Sequence, residues 1–378
     1  MIRVLVRPVY SSMKANRLFE RRHDFADHWM EPYARLREIG LEQGVRFDTW
    51  DLGDPEAADV VLFQDLPLTR ARFEAQLARF PRAARVLQLI ESPLDRRHLH
   101  RPENHAAFNA ISTWNHELLA KGDQYVRYAL PLGRPDTPEA NLPFAERKPL
   151  VLLNSNRRAG WLGRRREGLA GWPGLGVAFT GWKAHASDVL RPAQGELYSR
   201  RRRIASLAED RFPGVLEIYG QGWRGEERLG WAGGVLPTRR YRIAQGPFRG
   251  NKTELLARYR FVLAFENVCG DLGYISEKIF DPMFAGAVPI YLGDARITDV
   301  VPEDAFVDAR RFASDREMLA WVRDCSEAEW QRLREGAVRF LAGEDRQGRT
   351  LAPFEPEAFA EAMLKAVQVA LANHSAEH

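Results

Sequence analysis

Short apolar runs that end abruptly in polar residues recur along this chain, and each reads as a buried strand with a polar exit. Ile2 to Val6 is the first. Val45 to Trp50 alternates apolar and polar positions and predicts a half-exposed strand, while Asp59 to Gln64, Arg85 to Ile90 and Phe108 to Trp114 predict fuller ones. Between them, apolar positions at helical spacing predict a helix around Trp29 to Gln43, with Tyr33, Leu36 and Ile39 on its apolar side and Gly44 as its stop. Thr69 is placed to cap a second helix that reaches Phe80, with Phe73, Leu77 and Phe80 on one face. Repeated β/α alternation of this kind predicts a doubly wound sheet.

A proline-punctuated stretch that starts at Arg134 and ends near Lys148-Pro149 marks a domain boundary. The pattern then restarts. Leu150 to Asn156 and Val215 to Gly220 predict strands on either side of a helix that begins within Gly195 to Leu207. Further helices are expected over Asp315 to Cys325 and Ala328 to Leu341. A final amphipathic helix from about Pro356 to Ala372 has Phe359, Met363, Ala366 and Val369 on its apolar side.

The most informative unit lies between Lys252 and Asp294. Phe261 to Phe265 is an apolar run that ends at Glu266-Asn267, at the carboxyl end of a strand, where open α/β sheets place ligands. Ser276 caps a helix with Glu277 and Lys278 in its first turn, Gly286 stops it, and Val288 to Asp294 is a second buried strand. A helix amino terminus with a lysine in its first turn favours a phosphate or diphosphate. A structural capping box with a solvated lysine fits the same residues. In the first half, Glu91-Ser92-Pro93 follows a strand, and Pro93 disfavours helix at Ser92, so Glu91 is displayed on a turn. His98, His100 and His105 match no standard zinc spacing and read as solvated loop residues.

The chain has 378 residues, enough for two α/β domains with separate cores, and its 45% hydrophobic content with ten tryptophans argues for a folded enzyme. Its two cysteines, Cys269 and Cys325, suit a reducing cytoplasm better than a disulfide framework. The amino terminus is too short and too charged for a signal peptide or anchor, and no apolar run reaches the length of a membrane span. A formal charge of +4 fits acidic partners: a nucleotide sugar ahead of nucleic acid, an anionic glycolipid, or a membrane surface. Trp161, Trp172 and Trp182 lie in a Gly, Trp and Arg-rich stretch, 157–194, that reads either as local core or as stacking faces for sugars.

Arg258-Tyr259-Arg260-Phe261, the triplet Phe265-Glu266-Asn267, the YISEKIFD run from Tyr274 to Asp281 and the AGAVPIYLG run from Ala285 to Gly293 together resemble the signature block of the α-1,3-fucosyltransferase family, glycosyltransferase family ten. The resemblance is close over this block and loose over much of the chain. It implies a GT-B fold, in which two Rossmann-like doubly wound domains face a cleft. Residues 1–148 would form the acceptor-side domain, 149–350 the donor domain, and 351–378 a terminal helix packing back on the first.

The resemblance also implies an inverting transfer from a nucleotide sugar, usually GDP-L-fucose, to a hydroxyl of a glycan acceptor such as lipopolysaccharide or another surface glycan. Glu91 becomes the catalytic base. Arg201 or Arg200, which the sequence does not separate, joins Lys278 and the Ser276 helix start in holding the diphosphate. Glu277 contacts the donor sugar, and Asn267 and Tyr274 hold nucleotide and sugar. Tyr219, at a strand end followed by Gly220 and Gly222, is grouped with the donor site because the glycines permit close approach of a ligand. No Asp-x-Asp occurs in the chain, so no obligatory metal ion is expected. Animal members of the family carry a membrane-spanning stem, and departure from that pattern suggests a soluble, bacterial-type member, cytoplasmic or peripheral at the inner face of a membrane. The alternatives are transfer of another activated sugar, or a non-catalytic protein that binds glycan or nucleic acid.

Overall fold

A computed structural model describes residues 1–21, 30–67, 69–135, 142–157, 195–225, 239–270 and 272–376. Trp29 and the tryptophans Trp161, Trp172 and Trp182 lie outside the described residues. The first half contains β1 (Ile2–Arg7), α1 (Glu31–Glu42), β2 (Val45–Thr49), β3 (Val60–Gln64), α2 (Arg70–Leu77), β4 (Ala84–Gln88), β5 (Ala110–Thr113), α3 (His116–Leu119) and β6 (Tyr125–Arg127). The second contains β7 (Lys148–Leu153), α4 (Tyr198–Arg211), β8 (Leu216–Tyr219), β9 (Ala244–Gly246), α5 (Lys252–Leu256), β10 (Tyr259–Gly270), α6 (Glu277–Phe284), β11 (Val288–Asp294), β12 (Val307–Asp308), α7 (Asp315–Asp324), α8 (Glu327–Leu341) and α9 (Pro356–Ala376).

Helices start where side chains satisfy their first free N–H groups. Thr69 accepts from Arg72 N at 3.3 Å and Ser314 from Glu317 N at 3.2 Å. Among the described residues the strands form two parallel six-stranded sheets, ordered β2-β1-β3-β4-β5-β6 and β12-β11-β10-β7-β8-β9. In the first, strand order reverses between β1 and β3; in the second, between β7 and β10. A crevice opens at the carboxyl ends of the strands on each side of such a reversal, because the flanking crossovers leave to opposite faces. Both crevices open onto one cleft.

One expectation needs correcting. The run Phe261 to Phe265 does not end at Glu266: β10 continues to Gly270, with its pairing to β11 irregular between Phe265 and Gly270. Glu266 is therefore a strand residue, wholly buried.

The first sheet is covered by α1 and α9, which pack on each other, and α9 also contacts β3 to β6. Phe359 of α9 lies edge-on to Tyr33 with centroids 5.0 Å apart, and Met363 and Val367 share their apolar cluster with Val4 and Val86. Tyr274, from the second half, enters that same cluster and meets Trp114 at 4.7 Å. No described helix is long and apolar enough to cross a membrane.

Candidate active site

The cleft has a volume of about 560 Å³ and is lined from both halves. Residues following β1, β3 and β4 supply Tyr10, Asp65 and Glu91 on one wall. The other wall is built from the exit of β7 (Asn154, Ser155, Arg157), the start of α5 (Lys252), Asn267 in β10, and the Tyr274 to Asp281 segment.

The donor-side wall is organised around Glu266. Its Oε1 accepts from Ser276 N at 2.8 Å, both carboxylate oxygens receive the Ser276 hydroxyl at 2.8 Å, and Lys278 Nζ lies 3.2 Å from Oε2. A buried carboxylate is stable only with such partners. It fixes the start of α6, where Ser276 also accepts from Lys278 N at 3.4 Å. Burial works against the Lys278 charge, but Glu266 and Glu277 outweigh it and raise the ammonium above the ordinary lysine value. Glu277, 46% exposed at the cleft, stands 3.7 Å from Lys278. Burial disfavours its charge as well, yet Lys278 and Lys252 hold its carboxyl well below the usual range. Lys252 pairs with Asp281, which also lines the cleft. The result is an alternating row of cations and carboxylates at a helix amino terminus, with the ammonium of Lys278 fixed from behind.

The exit loop of β7 is held from below. Trp223 Nε1 donates to Asn154 O at 2.6 Å, Asn156 N donates to Gln221 O at 2.8 Å, and Arg202 Nη1 donates to Arg157 O at 2.6 Å. Gly220 makes this support possible. It has φ +138°, and a Cβ there would fall 2.1 Å from Asn154 O. The close approach the glycine permits is thus backbone on backbone, not ligand on backbone.

On the opposite wall, Glu91 follows β4 on a turn fixed from two sides. His100 Nε2 bonds Glu91 O at 2.7 Å, and Asp65 Oδ1 accepts from Ile90 N at 2.8 Å. Asp65 is wholly buried and adopts a left-handed conformation, φ +54°, the kind of backbone cost that persists where the surroundings enforce it. Burial raises the Glu91 carboxyl to about 7, with help from the charges of Asp95 and Asp65 and against those of Arg96 and Arg157. Burial likewise lifts Asp65 to about 6, its bond from Ile90 N opposing. The histidines, expected to be solvated, are not: His98 and His105 are buried, and burial lowers His100 to about 4 despite its bond to Glu91 O, keeping the ring neutral.

Of the residues singled out from sequence, Glu91, Asn267, Tyr274, Ser276, Glu277 and Lys278 line the one cleft. Arg200, Arg201 and Tyr219 do not. Arg200 turns to Asp315 at 2.7 Å and stacks over Phe265. Arg201 is buried, and its Nη2 grips the carbonyls of Phe265 and Glu266, the latter at 2.6 Å, and reaches Asn267 Oδ1 at 3.3 Å. The physical reason is that β10 runs past Phe265, and its irregular pairing leaves carbonyls that a guanidinium satisfies. Tyr219 packs edge-on to Phe248 and lies 3.5 Å from the Tyr259 hydroxyl. The cations that line the cleft among the described residues are Arg157, Lys252 and Lys278. Asp281 belonged to the motifs that carried the resemblance, and Lys252 opened the stretch read as most informative, although neither was singled out; nothing in the pattern around Arg157 or Asp65 marked them.

Two parallel doubly wound sheets that open their reversal points onto one cleft define the GT-B glycosyltransferase fold. The structure aligns with that of an alpha1,3-fucosyltransferase at a TM-score of 0.56 and 16% identity, covering 97% of this chain and 90% of the other. It aligns with Anabaena HepE, solved with UDP and glucose, at 0.51 and 12%, covering 97% and 100%. Residues 240–333 match the model of glycosyltransferase family 10 (fucosyltransferase) C-term. An alpha-(1,4)-fucosyltransferase of Arabidopsis thaliana is 38% identical over 68 residues, 18% of this chain and 17% of that protein. The GDP-fucose protein O-fucosyltransferase 3 of Homo sapiens is 41% identical over 71 residues, 18% of this chain and 14% of that protein. The matches thus span less than a fifth of the curated relatives.

Proposed function

We propose that this protein transfers a sugar, L-fucose from GDP-L-fucose, to a hydroxyl of a glycan acceptor with inversion at the anomeric carbon. The observation that carries this reading is the opposition across one cleft of Glu91, a carboxyl that titrates near neutrality, and the start of α6 with Lys278. A base is most effective when its proton affinity lies near the working pH. Glu91 would take the proton of the acceptor hydroxyl as that oxygen attacks the face of the sugar opposite the diphosphate. Lys278, the free N–H groups of α6, Lys252 and Arg157 would bear the charge that develops on the departing diphosphate. Glu277, anionic at the cleft, would face the positive charge that builds on the ring.

The choice of GDP-fucose is supported by the family matched over residues 240–333 and by the names of the relatives. The acceptor side offers Tyr10, exposed at the cleft, whose ring and hydroxyl suit a carbohydrate. A surface glycan such as lipopolysaccharide remains the acceptor of this reading. Both cysteines are free thiols, which supports a cytoplasmic setting; peripheral contact with an anionic membrane belongs to the same reading through the formal charge of +4.

Incubating the protein with GDP-fucose, GDP-mannose or UDP-glucose and a panel of oligosaccharides, with and without a chelator, tests this. Chelator-resistant transfer from GDP-fucose, with the product's anomeric configuration inverted by NMR, is expected. Turnover confined to another donor replaces the sugar, and absence of turnover from every donor together with absence of GDP and UDP binding by calorimetry removes the transferase reading.

A further inference from the structure

Asp95, four positions beyond Glu91 in the same turn, makes most of its contacts in the other half of the molecule. Its Oδ1 accepts from the Tyr198 hydroxyl at the start of α4, at 2.7 Å, and Arg157 Nη1 lies 3.5 Å from the same oxygen. Its Oδ2 accepts from Asn267 Nδ2 in β10 at 3.0 Å and from its own turn's Ser92 hydroxyl at 2.8 Å. The side chain is only 10% exposed. One carboxylate therefore receives donors from the β7 exit, from α4 and from β10, two of them through cleft-lining residues. Asn267 cannot satisfy the arrangement if its amide is turned around, because Oδ1 takes Arg201 Nη2 while Nδ2 donates to Asp95. Other bridges between the halves, such as Trp114 against Tyr274 and His116 N to Leu272 O, do not touch the Glu91 turn.

We infer that Asp95 is a positioning residue that ties the turn bearing Glu91 to the donor-side wall, holding base and leaving-group site at a fixed separation. This rests on the glycosyl-transfer reading above. Its charge also acts on Glu91. The anions facing Glu91 are Asp65, from the end of β3, and Asp95; the cations are Arg96 of the same turn and Arg157 of the β7 exit. Tyr10 and Tyr274 couple to it as neutral groups, and His100 holds its carbonyl. Asp95 comes first among the charges that favour the protonated form of Glu91.

The test is steady-state transfer across pH 5–9 for wild type, Asp95→Asn, Tyr198→Phe and the double variant, each checked for folding by circular dichroism and thermal melting. Asp95→Asn is expected to lower kcat by roughly 10–100-fold, the scale of a misplaced reacting group. The acid limb of its kcat/KM profile should move to lower pH, because removing an anion beside Glu91 eases its ionisation. Tyr198→Phe cuts one tie and keeps the charge, so kcat falls several-fold with the limb in place. The double variant should be no slower than Asp95→Asn, since both substitutions break the same contact. An unmoved limb in Asp95→Asn, or losses that simply multiply in the double variant, overturns the proposal. Should Asp95→Asn fail to fold, Tyr198→Phe decides alone: wild-type kcat overturns the tie, and a several-fold loss with unchanged melting upholds it. Failure of the underlying reading has a different signature, a wild-type protein that transfers nothing from any donor.

Discussion

Replacing Lys278 with methionine removes the ammonium and keeps an unbranched stem of similar length, so the effect is that of a missing charge. Glu266 is fully buried and the Lys278 side chain is 16% exposed. Without Lys278, the Glu266 carboxylate retains its Ser276 bonds and the nearby charge of Arg201. Breaking a buried ion pair from one side costs ~3–5 kcal/mol. The surviving Ser276 bonds favour the lower end, and the half-exposed pair with Glu277 adds little. A loss of about 3 kcal/mol corresponds to a drop in Tm on the order of 6–12 °C for a unit of this size. Because the folded-state ammonium titrates above its unfolded value, this contribution is complete below the unfolded lysine value and vanishes only as pH rises through the higher folded one. The effect is thus constant across neutral pH.

The companion variant Lys278→Met/Glu266→Gln removes the stranded charge and keeps an acceptor for Ser276. Calorimetric melting should show the double variant recovering most of the lost stability, while titration with GDP shows binding weakened by ~10–100-fold in both, since the charged contact to the leaving group is missing from each. A single variant within about 1 kcal/mol of wild type would refute the buried-pair argument. So would a double variant no more stable than the single.

Glu91→Gln should keep GDP affinity and lose ~10²–10⁴ in turnover, the usual contribution of a general base. The Glu91 carboxyl is raised from 4.5 to about 7 in the folded protein, so its contribution to stability is full below pH 4.5 and is lost as pH climbs to 7. The variant should therefore become progressively more stable than wild type over that window, read by melting at several pH values; parallel curves would contradict the burial of this carboxyl. The wild-type kcat/KM profile should carry an acid limb near pH 7, and a limb near the ordinary glutamate value would remove Glu91 from the base role. Gly220→Ala places a methyl on Asn154 O and should cost on the order of 2–3 kcal/mol. It should also weaken GDP binding by shifting the β7 exit loop, and an unchanged melt together with unchanged GDP affinity would show that the loop does not depend on that close approach.

Local signals carried the α6 region. Ser276 ahead of Glu277 and Lys278, Gly286 after an apolar face, and two β-favouring runs are each short-range statements, and they describe a unit that forms as read except that β10 runs past its expected end to Gly270. Where a side chain's destination is set by another part of the chain, the pattern was silent or misleading. Four consecutive arginines on α4 look alike in sequence. What sorts them is the irregular stretch of β10, which takes Arg201, and Asp315 of α7, which takes Arg200. Asp65 sat unnoticed after an apolar run because neither a positive φ nor proximity to Ile90 has a local signature. The histidines of 98–105 look polar in sequence yet are packed, since a neutral ring with a backbone partner behaves as a core residue.

Residues 356–370 complete a core begun by residues 2–6. Val4, Val86 and Tyr33 have Phe359, Met363 and Val367 as neighbours in one cluster, so the first sheet lacks one of its coverings until the far end of the chain has been made. During synthesis the amino-terminal half must wait, with an apolar face exposed, for a helix translated more than two hundred residues after its last strand. The two halves are therefore poor candidates for separate expression, and losing the final helix would undo the part of the protein farthest from it in sequence.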